Sequence, residues 1–379
     1  MGASESASEP AEAQVPVIDI SPFSDPTAHD DAARAKCAGE WDDAMTGVGF
    51  CLIVGHGVTT NCIESLRAAF KAYFEGCDLD YKKQFVYGPY GNPDGGYTAM
   101  GNESVARSQD EHGGLGSEEA KVAVSDPVES YICSAGDPND WGGARPKQPD
   151  EFKAPAAAYY TEMRRILACL NAMSALALGL PVEYFDPFYK EPWCYVVAKY
   201  YPPSSNRALA ASPRTGAGLR YGAHTDYTGF TILKPDDADA SPGAGGLQVQ
   251  LKSGKWHSLA PRADAFIVNA GDLYEDWTNG RWMSTVHRVL APEPGSLAAS
   301  SSRLSIPFFS GPALDAVITT IETCASDGNP PKLKEPISAY DRDHAADQTP
   351  GGIQPRLPAL CCRLRGLTCP LFELPCWKT

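Results

Sequence analysis

No apolar run in this 379-residue chain approaches the roughly 20 residues that a helix needs to cross a bilayer. The opening segment, MGASESASEPAEAQ, lacks the basic and apolar stretches of a secretory or organellar signal. Positive charge is scarce: 32 Lys and Arg face 47 Asp and Glu, for a net charge of −15. An acidic surface repels phosphate backbones and anionic lipids, which argues against nucleic acid and membrane partners. Small molecules stay open as partners, because a local pocket can carry the opposite sign. The 12 cysteines include no CxxC pair. Scattered thiols without a signal segment predict reduced, partly buried cysteines in a cytoplasmic protein, and Cys37 on an apolar helix face is one such thiol. The His-x-x-x-His motif of helical zinc hydrolases is absent, and no internal repeat is visible.

What is present is a chain able to bury a sizeable core, with 43% hydrophobic residues. Residues 1–14 read as a disordered acidic tail. VPVIDI (15–20) predicts a short strand and GFCLIV (49–54) a buried one. Ala33, Cys37, Trp41 and Met45, spaced by four, mark an amphipathic helix. Ile63, Leu66, Phe70 and Phe74 mark a second helix, and Met163, Leu167, Leu170 and Met173 a third, closed by Gly179 and Pro181. Between 86 and 150, Gly, Pro, Asp and Ser predict long loops with few regular elements. From residue 194 the pattern changes to short β-rich runs, CYVVAKYY, GFTILK, GLQVQL, AFIVNAG and LSIPFF, separated by turn chemistry. Many strands without intervening helices predict a closed or sandwiched antiparallel sheet after a helical first half.

The run RYGAHTDYTGFTIL (220–233) holds His224 and Asp226. In a chain this rich in carboxylates a single His-x-Asp arises by chance about as often as not, and a surface or hydrogen-bonded histidine is the plain alternative. Residues two apart on a strand share a face, however, so this pair can aim imidazole and carboxylate at one point. His287, in the strand-like STVHRVL, offers a second imidazole. Two histidines and one carboxylate leave positions open on an octahedral metal, the arrangement suited to non-haem Fe(II), although zinc accepts the same donors. Arg303 and Ser305, two apart in RLSIPFF, aim a guanidinium and a hydroxyl at a common spot. Either they form a rim salt bridge or they clamp a small carboxylate ligand. Trp277, Trp282, Tyr195, Phe308 and Phe309 are core candidates before they are pocket candidates. His56 and His257 read as structural or surface residues, and Asp272 as a turn residue.

On these residues the chain resembles the isopenicillin N synthase-like family of Fe(II)/2-oxoglutarate-dependent oxygenases. VPVIDISPF and GFCLIVGHGV resemble its N-terminal region and AKYYPP the strand entering its core. HTDYTGFTIL, GGLQVQ, FIVNAGDLYEDWTNG, STVHRV and RLSIPFF resemble its double-stranded β-helix. The resemblance spans residues 15–340. It implies an α+β fold, a jelly-roll core with a helical N-terminal half packed on it. The implied divisions are 15–193 for the mainly helical region, 194–343 for the core and 344–379 for an atypical tail.

The resemblance also implies that His224, Asp226 and His287 bind Fe(II), and that Arg303 and Ser305 hold the distal carboxylate of 2-oxoglutarate with help from Tyr201. The implied reaction hydroxylates or desaturates a small organic metabolite with O2, coupled to decarboxylation of 2-oxoglutarate to succinate and CO2. A monomer is expected. Two departures stand out. Lys199 replaces an Asn frequent in the family, a change that would not repel a dicarboxylate. The tail, with Cys361, Cys362, Cys369 and Cys376, lacks zinc-ribbon spacing; it reads as a disordered extension or a gene-prediction artefact before a metal or redox element. The alternatives are an iron oxidase of the same fold that does not use 2-oxoglutarate, and a non-catalytic ligand-binding homologue.

Overall fold

In the computed structural model, residues 15–25, 27, 29–86, 95–103, 126–133, 148–203, 218–236, 244–339 and 341 are described. The expected tails at 1–14 and 344–379 lie outside them. VPVIDI folds as β1 (Val17–Asp19), followed by a single turn, α1 (Ser21–Ser24). Asp30 then accepts a hydrogen bond from Ala33 N at 2.9 Å and caps α2 (Asp31–Gly47), which buries Cys37, Trp41 and Met45 as their spacing predicts. Gly49, at φ +71°, turns the chain into β2 (Phe50–Val54); a Cβ there would collide with the Met283 carbonyl and the Thr285 hydroxyl. Thr59 caps α3 (Thr60–Gly76), whose buried face is Ile63, Leu66, Phe70 and Phe74. A short α4 (Leu79–Lys82) follows.

The stretch expected to be loop contains two strands, β3 (Gly96–Thr98) and β4 (Glu129–Cys133). Neither has a strong local signal. Long-range pairing makes them: β4 runs antiparallel to β5 (Trp193–Tyr201), from Glu129 opposite Tyr200 to Cys133 opposite Val196, and β3 pairs on β4. Between β4 and β5 in the chain, α5 (Asp150–Ala177) is longer than its predicted centre and ends before Gly179, at φ +71°.

The second half supplies β6 (Leu219–His224), β7 (Phe230–Lys234), β8 (Gly246–Gln250), β9 (Trp256–Ser258) and β10 (Phe266–Ala270). A short α6 (Asp272–Trp277) then interrupts a region expected to be free of helix. It buries Leu273, Tyr274 and Trp277, with Asp272 and Glu275 favourably placed in its first turn. The chain continues through β11 (His287–Leu290), β12 (Arg303–Gly311), β13 (Val317–Ile318) and β14 (Ile337–Ser338).

Two sheets face each other. The larger has the order β1-β2-β10-β7-β12-β5-β4-β3 and the smaller β6-β11-β8-β9. Pairing is antiparallel throughout except between β1 and β2. The strand period of two sorts the large sheet's side chains. Val196, Ala198, Ile306, Phe308, Phe230 and Val268 join Trp41, Phe70, Tyr159 and Met163 in a core beneath the helices. On the other face, Phe50, Leu52 and Ile267 meet Leu247, Val249 and Val289 of the small sheet, and Tyr195, Val197 and Ile132 cluster with Trp193 and Phe309. Trp277, Trp282 and Phe308 are therefore core, while Tyr195 and Phe309 line the inter-sheet side. Arg303 and Ser305 share that side, opposite to Leu304 and Ile306. The jelly-roll core with helices packed on one face is the α+β architecture that the sequence implied.

Candidate metal centre

β6 and β11 are neighbours in the small sheet, with His224 and His287 as directly opposed residues. Their ring centroids are 4.2 Å apart. His224 Nδ1 lies 2.9 Å from the Gly222 carbonyl oxygen and His287 Nδ1 3.0 Å from that of Thr285. Each Nδ1–H donates to its carbonyl, which fixes the tautomer and leaves an Nε2 lone pair facing inward. Asp226 follows β6 by two residues, and its Oδ1 lies 3.8 Å from the Nε2 of each histidine. Its other oxygen, Oδ2, accepts hydrogen bonds from Thr231 Oγ1 at 2.6 Å and Asn269 Nδ2 at 2.7 Å. One carboxylate oxygen is thus held by the large sheet while the other faces the imidazoles.

The backbone around Asp226 is equally pinned. Asp272 N donates to the Asp226 carbonyl at 2.7 Å, and Gly271 N to that of Gly229 at 2.8 Å. A Cβ on Gly271 would collide with the carbonyl oxygens of Thr228 and Asp226, so this close approach requires glycine. Asp272 is therefore the first residue of α6, and its backbone N–H restrains the Asp226 loop.

Burial, reinforced by His287 alongside, pushes the His224 imidazolium down to about 3. Burial alone would raise Asp226, but the two imidazoles and the hydrogen bonds from Asn269 and Thr231 outweigh it and hold the carboxyl below its ordinary range. At neutral pH the cluster presents a neutral imidazole and a carboxylate, the protonation states that a divalent cation needs. One donor atom from each of the three residues lies within 4.8 Å of the others. The donor set, its orientation and its burial fit a ferrous ion with coordination positions left over for other ligands.

A second polar group lies on the inter-sheet face of β12 and β5. Arg303 is 2% exposed; its Nη1 donates to Ser305 Oγ at 3.2 Å, and its Cζ is 5.1 Å from the centroid of Tyr201, the opposing residue on β5. Arg220 approaches the same ring from the small sheet, with Cζ 5.7 Å from the centroid. Burial pushes the Tyr201 phenol well above its usual range, so it remains an O–H group. Two guanidiniums, a hydroxyl and a phenol give an anion-binding set suited to a carboxylate. Beside it, Lys199 pairs with the buried Glu103, which also accepts from Ser130 Oγ.

The structure brings His224, Asp226 and His287 together, and separately groups Arg303, Ser305 and Tyr201. Reasoning from sequence missed Thr231, Asn269, Arg220 and Glu103. Parity did not mark Arg220, because β6 shifts register between Leu219 and His224. No local signal marked Glu103. His56 is structural, as expected: its Nδ1 accepts from Val58 N at 3.1 Å.

A jelly roll with a buried two-histidine, one-carboxylate cluster defines the class of mononuclear non-haem iron enzymes. Comparison with known proteins agrees. Residues 192–312 match the 2OG-Fe(II) oxygenase superfamily, and residues 15–142 match the family described as non-haem dioxygenase in morphine synthesis N-terminal. The chain belongs to the 2OG-Fe(II) oxygenase superfamily and is a non-haem iron dioxygenase using Fe(II), 2-oxoglutarate and O2. It is 28% identical over 324 residues to a homoarginine-6-hydroxylase of Oryza sativa subsp. japonica, covering 82% of this chain and 89% of the relative. A 2-oxoglutarate-Fe(II) type oxidoreductase of Metarhizium majus is 28% identical over 337 residues, covering 85% and 84%. A full-length Neurospora crassa protein, crystallised in complex with alpha-KG and thymine, superposes with a TM-score of 0.71 at 24% identity, covering 88% of this chain and 97% of that one; it shows the shared fold. Among the described residues no helix is long and apolar enough to cross a membrane.

Proposed function

We propose that His224, Asp226 and His287 are the ligands of the catalytic iron, and that Arg303, Ser305 and Tyr201 hold the distal carboxylate of 2-oxoglutarate. The enzyme then hydroxylates or desaturates a small organic molecule while 2-oxoglutarate becomes succinate and CO2. The observation that carries this reading is the convergence of both Nε2 atoms and one Asp226 oxygen within 4.8 Å. When bound, iron and 2-oxoglutarate supply O2 activation and cleavage of a substrate C–H bond. The chain supplies position and environment. Thr231 and Asn269 keep Asp226 ionised and aimed, and the Gly222 and Thr285 carbonyls keep both imidazoles in the binding tautomer. Arg303 offers a charged, bidentate-capable partner that fixes one end of the co-substrate, and Ser305 steadies the guanidinium. Tyr195, Val197 and Phe309 present apolar surface on the same face of the large sheet, with Phe309 opposite Thr231.

A small-molecule substrate is supported by the net charge of −15 and by relatives named for homoarginine or solved with thymine. The same charge supports the absence of nucleic acid and membrane partners. We further infer a cytoplasmic monomer, in keeping with eight free cysteines among the described residues. The test is Fe(II)-dependent release of succinate from 2-oxoglutarate. Wild type should show it, and Asp226→Ala, folded to the same helical content, should not. Full release by that variant would remove the triad assignment.

A further inference from the structure

Lys199 and Glu103 form a buried ion pair that the chemistry above does not use. Their side chains are 15% and 4% exposed. On β5, Lys199 has the same parity as Tyr201, Val197 and Tyr195, and so belongs to the inter-sheet side. Its backbone neighbours across the sheet are Ser305 on β12 and Ser130 on β4. Four polar groups meet there. Glu103 accepts from Lys199 Nζ and from Ser130 Oγ. Tyr221 OH donates to Glu103 Oε2 at 3.3 Å and lies 3.3 Å from Lys199 Nζ. Tyr221 also ties the group to the metal centre: its ring centroid is 5.1 Å from Lys199 Nζ and 5.1 Å from the His224 ring.

Burying such a pair costs more than filling the space with apolar side chains, so stability alone does not account for it. Nor does it serve as a clamp for an isolated carboxylate, because Glu103 already neutralises the lysine; an acceptor held there must bring its own N–H to balance Glu103. An ammonium has three donors, and among the described residues Glu103 and Tyr221 occupy two of them. The carboxylate of Glu103 can also accept from a further donor. The pair therefore offers a hydrogen-bond donor beside a hydrogen-bond acceptor on the inter-sheet face of the large sheet. The adjoining surface, Ile132, Val197 and Tyr195, is apolar.

We propose that Lys199 and Glu103 are specificity-determining residues. They bind the primary substrate through an acceptor, a carboxylate or carbonyl, placed next to an N–H group, with the substrate's hydrocarbon part against Ile132, Val197 and Tyr195. Free amino acids and cyclic amides carry that pairing; simple carboxylic acids and hydrocarbons do not. This rests on the oxygenase reading and names the substrate class of the same site. A site built to hydrogen-bond two groups of its substrate rejects molecules lacking one of them, because its own buried polar groups are then left unpaired.

The experiment uses the full chain with Fe(II) and 2-oxoglutarate, and reads succinate formation stimulated by L-proline, L-arginine, 2-piperidone or thymine. Cyclohexanecarboxylic acid and hexanoic acid are the controls without N–H. The first four separate amino acid from cyclic amide as the source of the pairing. Lys199→Met and the neutral double variant Lys199→Met/Glu103→Gln, which avoids an unpaired buried charge, are compared with wild type. At least one N–H-bearing compound should stimulate wild type above both controls. In both variants its KM should rise by about tenfold to a hundredfold, the loss expected of a charged hydrogen bond, while 2-oxoglutarate affinity measured by calorimetry without primary substrate stays within about threefold. Stimulation by the controls alone, or by none of the compounds, would overturn the proposal. So would an unchanged KM, or a variant whose defect lies in 2-oxoglutarate affinity. If wild type bound neither Fe(II) nor 2-oxoglutarate, the oxygenase reading itself would fail, which calorimetry distinguishes from failure of the substrate assignment alone.

Discussion

Asn269→Leu and Thr231→Val each remove one of the two hydrogen bonds, of 2.7 and 2.6 Å, that hold Asp226 Oδ2. Both substitutions approximately keep side-chain shape at buried positions, so packing should be disturbed little. Losing a partner of a ligating carboxylate typically weakens metal binding by about 10- to 100-fold, or about 1.4–2.7 kcal/mol. The usual worth of a hydrogen bond to a charged group, about 1.5–3 kcal/mol, agrees with that range. Because both bonds end on the same oxygen, the double variant should lose less than the sum of the single losses. Without these donors the Asp226 carboxyl also rises toward its ordinary range, so the pH below which metal affinity is lost should move upward. Anaerobic calorimetry with Fe(II), repeated at several pH values, measures both effects. A dissociation constant within about twofold of wild type in both single variants, with an unaltered thermal midpoint, would refute the view that these groups orient the ligand.

Other outcomes follow from the same geometry. Arg303→Ala should weaken 2-oxoglutarate binding by roughly 2–5 kcal/mol; unchanged affinity in a direct titration would remove the clamp. Gly271→Ala forces a methyl group against the Thr228 and Asp226 carbonyls, so metal affinity and thermal midpoint should fall together; a wild-type midpoint would show that the loop has slack. In the metal-free protein, His224 takes up its proton only near pH 3, against about 6.5 when unfolded. Between those values the unfolded state holds more protons, so stability falls with falling pH. From this one group the slope is at most about 1.4 kcal/mol per pH unit. Denaturant melts of chelator-treated protein at pH 7 and pH 5 should show the loss, and a flat profile would contradict the buried neutral imidazole. Trp41→Ala, at a fully buried ring wedged against Phe230 and Trp282, should cost about 3–5 kcal/mol in unfolding free energy.

Much of this site was legible in the sequence because strand parity is a local property. Arg303 and Ser305, two apart on β12, share a face wherever that strand ends up; Asp226 lies beyond the end of β6, and contacts from Asp272 and Thr231, not strand parity, hold it towards His224. Register is not local. Nothing in STVHRVL states that His287 lies opposite His224; the family resemblance implied only their shared role as ligands, and the register is seen in the structure. The same limit hid β3 and β4, whose order comes from pairing with β5, and Glu103, whose partner Lys199 is 96 residues away. Thr231 and Asn269 look like ordinary strand residues until Asp226 is placed between them. The short helix α6 was missed because six residues carry too little periodicity to be told from a turn.

The most direct test of the central claim is anomalous diffraction at the iron edge from crystals grown anaerobically with Fe(II) and 2-oxoglutarate. The predicted result is a single iron peak within bonding distance of His224 Nε2, His287 Nε2 and Asp226 Oδ1, with the co-substrate's far carboxylate against Arg303. A peak elsewhere, or one that any of these three side chains fails to touch, would contradict the account.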